Sequence, residues 1–355
     1  MCAPVRDLPW AGLPRSPARL ALLLLLLASA WAGEVAPLAW LDDERFLLHD
    51  TGAGHPESPT RLHTIRAAVA ASPLAAGLLR LEAREAERAD LLLVHTPAYL
   101  DLVEREVAEG RRVLSTGDAM VSPGSLVAAR SAVGGLIATC DAVLDGKARH
   151  AFCAVRPPGH HAEPERGMGF CIYSNVAIAA RHLMERRQLT RVLVIDIDVH
   201  NGNGTYAALK SEPRAFQFHL HQHGIYPGSG VRAGAGRADE TGEGAALGRT
   251  RNVSLPAGSG DDAFLTAIRD QLAPAMEQFK PQFILVSAGY DAHVDDPLGG
   301  LAVTTDGYRR IFAELVTIAD KHCAGRVVAA LEGGYNHQAL GAAVVATLEA
   351  LAGPR

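Results

Sequence analysis

Four short apolar runs recur along the second half of the chain, separated by longer stretches of helical periodicity. The runs are Arg191–Asp196, Ala215–Leu220, Phe283–Ser287 and Arg326–Leu331. Each has the length and apolar content of a buried strand. Between them, Ala177–Arg187, Asp261–Phe279 and Thr305–His322 carry apolar residues at helical spacing. Pro59–Ala71, Pro97–Glu109 and Ser125–Leu144 do so earlier. Strand, helix and strand in series predict an α/β fold, a mostly parallel sheet with helices on both faces. No linker, low-complexity tract or repeat follows Leu38, so one domain is expected over residues 38–355. Three of the runs lead into polar clusters, Asp196–His200, Gly289–Asp291 and Glu332–Tyr335. Ligands of open α/β sheets bind beyond the carboxyl ends of the strands, so the three clusters predict one shared site.

Asp196-Ile-Asp198-Val-His200 is the sharpest cluster. Charged residues are rare in buried strands. Alternate residues of an extended segment face one side, so Asp196, Asp198 and His200 are expected to converge. Carboxylates with an imidazole suit zinc or a similar divalent metal. The plainer reading is three polar groups at a solvated strand end. Asp291 offers a further carboxylate, and a site of this kind leaves a position open for water, as metal-assisted hydrolysis requires. An aspartate in a turn after Gly289 is also a common placement.

Arg156-Pro-Pro-Gly-His160-His161 is a rigid loop that ends in paired imidazoles. Two imidazoles near neutral pKa suit a base for water and an acid for a leaving amine; a surface histidine pair is the alternative. In Glu332-Gly-Gly-Tyr335 the glycines allow close backbone approach and let Tyr335 point into a cleft, where a tyrosine hydroxyl can donate to an oxyanion. Alone, it would read as an ordinary core tyrosine. Asn201-Gly-Asn203-Gly-Thr205 lacks the phosphate-loop pattern and reads as a turn opening a helix. Asn203 lies close enough in sequence to hydrogen-bond a site imidazole.

Composition narrows the function classes. The 355 residues carry a net charge of −5, so no general basic field attracts nucleic acid or acidic membranes. The 15 histidines are many for this length and hint at metal or proton chemistry. The 5 cysteines show no CxxC spacing, which argues against a thiolate zinc site and for buried free thiols. Near the N-terminus, Arg15 and Arg19 precede the apolar run Leu20–Ala28, and Ala28-Ser-Ala30 and Ala30-Trp-Ala32 follow. The run is too short to span a bilayer. Residues 1–37 read as a leader: either a signal peptide, implying export, or a non-native extension, leaving a cytoplasmic protein.

Together these residues resemble the histone deacetylase family, which includes acetylpolyamine amidohydrolases. The likeness runs from His49-Asp-Thr-Gly-Ala-Gly-His-Pro-Glu57 to Gly333-Gly-Tyr-Asn336. RPPGHH, GFC, DIDVHNGNGT, YPGSG, GYDAHVDDPLGG and EGGYN occur in family order. The resemblance implies a single-domain arginase-like fold and a zinc-dependent deacetylase acting on acyl-lysine in proteins or peptides. It implies one zinc ion on Asp198, His200 and Asp291. His160 and His161 match the paired imidazoles, with His161 as general base. Asp196 matches the partner of His160, and Asn203, the class II-like choice, matches the partner of His161. Tyr335 matches the residue that polarises the acyl carbonyl. Phe170 and Tyr226, with Gly169, match the acyl-lysine tunnel. Asp118 matches a rim carboxylate for substrate backbone, and Arg61 lines an inner acetate channel.

Three departures stand out. Asn201 replaces the His or Gln that commonly follows the zinc histidine. His219 stands where the family usually has a serine that helps bind a structural potassium ion; backbone carbonyls of Asp196, Asp198, His200 and Leu220 are the remaining potassium donors. Leu298 lies where polyamine-specific members tend to carry Glu, and Leu cannot attract a cationic amine. This favours acyl-lysine over acetylpolyamine. The rivals are a small-molecule amidohydrolase of the same fold and a catalytically silent acyl-lysine binder. Iron(II) suits the same donor set as zinc.

Overall fold

A strand buried on both faces must be apolar on both, and the middle strands of this chain are. In the computed structural model, which describes residues 37–231 and 234–353, Val192–Asp196, Phe283–Ala288 and Val327–Leu331 are buried at every position. The expected leader, but for Pro37, lies outside the described residues. The strands are β1 (Leu38–Leu41), β2 (Leu79–Leu81), β3 (His150–Cys153) and β4 (Val192–Asp196), then β5 (Ala215–Gln222), β6 (Thr250–Leu255), β7 (Phe283–Ala288) and β8 (Val327–Leu331). They form one 8-stranded sheet in the order β2-β1-β3-β8-β7-β4-β5-β6, and every pairing is parallel. Parallel strands need covered faces, because their crossovers put helices there.

Helices Ser125–Leu144 and Asn175–Glu185 pack together and against the strands on one face. Thr60–Ala71, His337–Ala352 and Thr305–Cys323 pack as a layer on the other. Ser125–Leu144 is long and apolar enough to cross a membrane, but most of that apolar stretch is buried against the sheet. Its Gly134-Gly135 pair allows this: a Cβ at Gly134 would lie 2.3 Å from the Arg84 carbonyl, and one at Gly135 2.8 Å from Leu41. The described cysteines, Cys140, Cys153, Cys171 and Cys323, are buried free thiols.

The sheet and its flanking helices match the expected α/β architecture, with corrections in detail. The stretch Asp261–Phe279 is not one regular helix. Two helices, Asp261–Ala267 and Ala273–Phe279, flank a wide π turn at Ile268–Leu272. Pro274 has no N–H to return to residue 270, so the ladder widens there. Strands β1, β2, β3 and β6 and the helix His337–Ala352 had no clear sequence signal. The first three strands have 3 or 4 residues, and β6 is a polar edge strand.

Register brings the polar clusters together. Asp196 of β4 pairs with Ser287 of β7, and Ala288 of β7 pairs with Leu331 of β8. The segments after β4, β7 and β8 therefore leave the sheet side by side. A buried ion triad ties them to the rest. Glu57 Oε1 accepts from Arg156 Nε at 2.5 Å and from Arg61 Nη1 at 3.3 Å, and all three side chains are fully buried. Arg61 also donates to the carbonyls of Gly334 (2.7 Å) and Glu332 (2.5 Å), and Arg156 to that of Phe46 (3.0 Å). One cluster thus joins the helix Thr60–Ala71 to the loops after β3 and β8.

Removing one member of a buried ion cluster leaves charge unpaired and typically costs about 3–5 kcal/mol. Glu57→Ala is expected to lose stability of that order in chemical denaturation at pH 7. Burial acts to raise the Glu57 pKa, but Arg156, His49 and Arg61 outweigh it and hold it below the ordinary 4.5. Its contribution is therefore full above about pH 4.5 and is lost as pH falls through the lowered value. Glu57→Gln should lack this acid-side component when stability is followed against pH.

Candidate active site

The strand β4 stops at Asp196, and the backbone beyond it bends twice, each bend closed by an N–H on a carboxylate. Asp196 Oδ1 accepts from the N–H of Asp198 (3.1 Å), and Asp198 Oδ1 from the N–H of His200 (2.9 Å). These bends replace the extended segment expected there, so the three side chains do not converge. Asp198 and His200 turn toward Asp291, while Asp196 turns away toward His160. Ligand atoms of Asp198, His200 and Asp291 all lie within 4.8 Å of one another. His200 Nδ1 is 3.0 Å from Asp198 Oδ1 and 3.3 Å from Asp291 Oδ2.

This triad fits a divalent ion. Donors around a tetrahedral zinc, with bonds of about 2.0–2.2 Å, lie a little over 3 Å apart. Asp291 Oδ2 is buried without a hydrogen-bond partner, while Oδ1 accepts from the N–H of Val199 at 2.9 Å. Burial and the neighbouring Asp198 push the Asp291 carboxyl up to about 7. Against the effect of burial, the two carboxylates hold His200 up at about 10. Negative charge contributes to both shifts, beside burial for Asp291 and against burial for His200. Glycines make room for these carboxylates. A Cβ at Gly289 would lie 2.1 Å from Asp198 Oδ2, and one at Gly333 2.0 Å from Asp291 Oδ2.

The imidazole pair stands beside the triad, with ring centroids 4.0 Å apart. His160 Nδ1 is 3.0 Å from Asp196 Oδ2, and His161 Nδ1 is 2.7 Å from Asn203 Oδ1. Burial opposes the charged form of His160, but Asp198, Asp196 and Glu332 outweigh it and raise its pKa well above the ordinary value. Burial and the neighbouring His160 and His200 lower that of His161. The loop carrying the pair is held from behind. Glu332 Oε2 accepts from the N–H groups of Gly159 (2.7 Å) and His160 (3.1 Å). The helix Asn203–Leu209 begins against it, with Gly204 and Thr205 donating to the His160 carbonyl. A Cβ at Gly204 would lie 2.4 Å from the Ala162 carbonyl, which explains the second glycine of the Asn-Gly repeat.

A cavity of about 270 Å³ opens onto these groups. His160, His161, His200 and Tyr335 lie along it, and Phe170 and Tyr226 supply aromatic surface. Gly169 and Phe170 both have left-handed backbone, φ 57° and 66°. A side chain at Gly169 would collide with the His161 ring at 2.3 Å. Asp118, at the mouth, accepts from the Gly169 N–H (2.6 Å) and the Tyr226 hydroxyl (3.4 Å). It thus braces both aromatic walls. Leu298, 42% exposed, also lines the cavity. Tyr335 is held by its N–H, which donates to Asp296 Oδ2 at 2.6 Å, and by the Arg61 guanidinium 5.1 Å from its ring centre. Burial and nearby Asp291 keep its hydroxyl protonated well above the ordinary range. Arg61 does not line this cavity; its donors are occupied by Glu57 and backbone carbonyls. His219 brings a buried imidazole within 3.7 Å of Asp196 Oδ2, and Asn201 donates to Asn252 and lies against His221.

The sequence profile of the histone deacetylase domain matches residues 55–351. The chain belongs to the histone deacetylase family. It is 38% identical over 315 residues to histone deacetylase 10, chloroplastic, of Oryza sativa subsp. japonica, covering 84% of this chain and 70% of that one. It is 38% identical over 303 residues to a histone deacetylase-like amidohydrolase of Pseudomonas aeruginosa, covering 85% and 78%. The solved HD domain of HDA15 matches with a TM-score of 0.81 and 35% identity, covering 90% of this chain and 88% of that one. The fold is the arginase-like deacetylase fold, and the protein is a hydrolase of the deacetylase class.

Two residues of this deacetylase site carried no separate sequence signal. Glu332 was legible only as part of its motif, yet it is the buried anchor of the histidine loop. Asp296 gathers the N–H groups of Leu298, Tyr335 and Asn336 and so sets the rim. Nothing local distinguishes such carboxylates from ordinary turn residues; only their distant partners do.

Gly333→Ala tests the carboxylate cradle. Its methyl group must displace Asp291 Oδ2. The variant is expected to fold but to retain far less divalent metal after dialysis than the parent protein, measured by elemental analysis.

Proposed function

We propose that this deacetylase uses zinc to hydrolyse N-ε-acyl-lysine in proteins or peptides. The observation that carries the reading is one cavity that brings together aromatic walls, the paired imidazoles, Tyr335 and His200, with Asp198 and Asp291 buried beside His200. A four-carbon lysine stem suits the aromatic walls, and its amide would reach these groups. The names of the relatives, histone deacetylases among them, support the substrate class.

Asp198, His200 and Asp291 would hold the ion. Zinc bound there would supply a Lewis acid for the acyl oxygen and make water more acidic. The chain's own groups do the rest. His161 donates from Nδ1 to Asn203, so Nε2 is free to take the proton of the attacking water. Tyr335, protonated at neutral pH, donates to the acyl oxygen as negative charge develops on it. An imidazolium of the pair then protonates the leaving amine, with His160 held by Asp196 and Glu332. Phe170 and Tyr226 exclude water from the stem. Asp118 keeps both rings in place, and its remaining oxygen is available to a substrate backbone N–H at the rim.

Hydrolysis of a fluorogenic acetyl-lysine peptide is expected to need zinc and to stop with a hydroxamate chelator. Absence of turnover on this peptide by zinc-loaded protein, with turnover of acetylpolyamines, would shift the assignment to a small-molecule amidohydrolase. Tight peptide binding without turnover of either would mark a silent binder. Tyr335→Phe removes one oxyanion donor, and kcat should fall by about 10²–10³. Near-full activity of that variant would refute the role given to Tyr335. Leu298→Glu places a carboxylate at the mouth. It should raise kcat/KM for acetylpolyamines relative to the peptide, measured in direct competition.

A further inference from the structure

Behind the imidazole pair lies a carboxylate that the mechanism leaves unused. Glu163 follows His161 by two residues, in the turn where Glu163 and Arg166 pair backbone to backbone. Its Oε1 accepts from Asn203 Nδ2 at 2.7 Å, and Asn203 Oδ1 accepts from His161 Nδ1 at 2.7 Å. Met168 Sδ, a weak acceptor, is 3.5 Å from the same Nδ2. His161, Asn203 and Glu163 thus form one chain of hydrogen bonds with a fixed direction.

Direction matters because an amide has two unlike ends. Turned over, Asn203 would set Oδ1 against the Glu163 carboxylate, acceptor to acceptor. Its Nδ2 would then face His161. Nδ1 of His161 would have to accept, and the ring proton would sit on Nε2. A neutral imidazole protonated at Nε2 cannot take a proton from water there. A carboxylate at position 203 would face no such choice, since both its oxygens accept. An asparagine does, and an ionised Glu163 can only accept.

We propose that Glu163 is a positioning residue that locks the Asn203 amide with Oδ1 toward His161 and so fixes the His161 tautomer with Nε2 free. This rests on the reading of His161 as the base. Asn203 is buried, whereas Glu163 is only partly so, and its side chain supports no core packing cluster.

The test compares steady-state kinetics of the zinc-loaded full chain on the acetyl-lysine peptide for Glu163→Ala, Glu163→Gln, Asn203→Asp, Glu163→Ala with Asn203→Asp, and His161→Ala. Losing an outer partner of a site imidazole typically costs about 10–100-fold, so Glu163→Ala should lower kcat about tenfold with KM unchanged. Glu163→Gln should lose less, because its carbonyl still accepts. In the Asn203→Asp background the sign should reverse. There, Glu163→Ala removes a carboxylate lying against another and should raise kcat. The proposal is overturned if Glu163→Ala leaves kcat unchanged, or lowers it by the same factor in both backgrounds, as a purely structural role would. His161→Ala separates the two levels. Retained kcat in that variant defeats the base assignment and this inference with it. An inactive His161→Ala beside an unimpaired Glu163→Ala defeats this inference alone.

Discussion

Five carboxylates, those of Glu57, Asp196, Asp198, Asp291 and Glu332, are buried in and behind one cavity. A buried ionised group is costly unless it is paired and hydrogen-bonded. The loops at the carboxyl edge of the sheet are arranged to meet that demand. Glu57 takes two guanidinium groups. Asp196 takes His160. Glu332 takes two backbone N–H groups and the Ser287 hydroxyl. Asp198 and Asp291 share His200, and Asp291 Oδ2, 3.3 Å from that ring, has no hydrogen bond of its own. Two carboxylates around one imidazole make this the point of the site whose donors suit a divalent ion.

The same pairings hold the reactive groups in position. Arg61 fixes the backbone around Tyr335 through two carbonyls, and Asp296 fixes it through two N–H groups. Asp118 ties the Gly169–Phe170 turn to Tyr226. Each reactive side chain is thus held by a group outside the reaction. A hydrolytic site of this kind needs such support, because misplacement of a reacting group by about 1 Å can cost about 100-fold in rate.

Missing side chains give the site its room. Gly289 and Gly333 admit the facing carboxylates, and Gly169 admits the His161 ring. Phe170 holds a left-handed backbone without being glycine, a strain tolerated next to a functional wall. The neighbouring His55 ring meets its edge at 4.6 Å.

The sequence by itself determined the architecture of the core and the chemistry of the site. Hydrophobic periodicity is a local property, so β4, β5, β7, β8 and most flanking helices were legible from it. The polar clusters were legible because charge at the end of an apolar strand has no ordinary explanation three times over. The edge strands were not legible, because 3 or 4 residues, or a polar solvent-facing strand, carry too little pattern. Periodicity alone could not say which of Asp196, Asp198 and His200 faces Asp291; the family resemblance set Asp196 apart from the other two, and the tertiary structure supplies the physical reason. Alternation along an ideal strand would have put all three together, but the strand ends at Asp196 and the turns beyond it separate them. Partners far apart in sequence, Glu57 with Arg156, Glu332 with His160 and Asp296 with Tyr335, were likewise set by the fold. A single sequence marks which residues can pair, and only the sheet's register brings them within hydrogen-bonding distance.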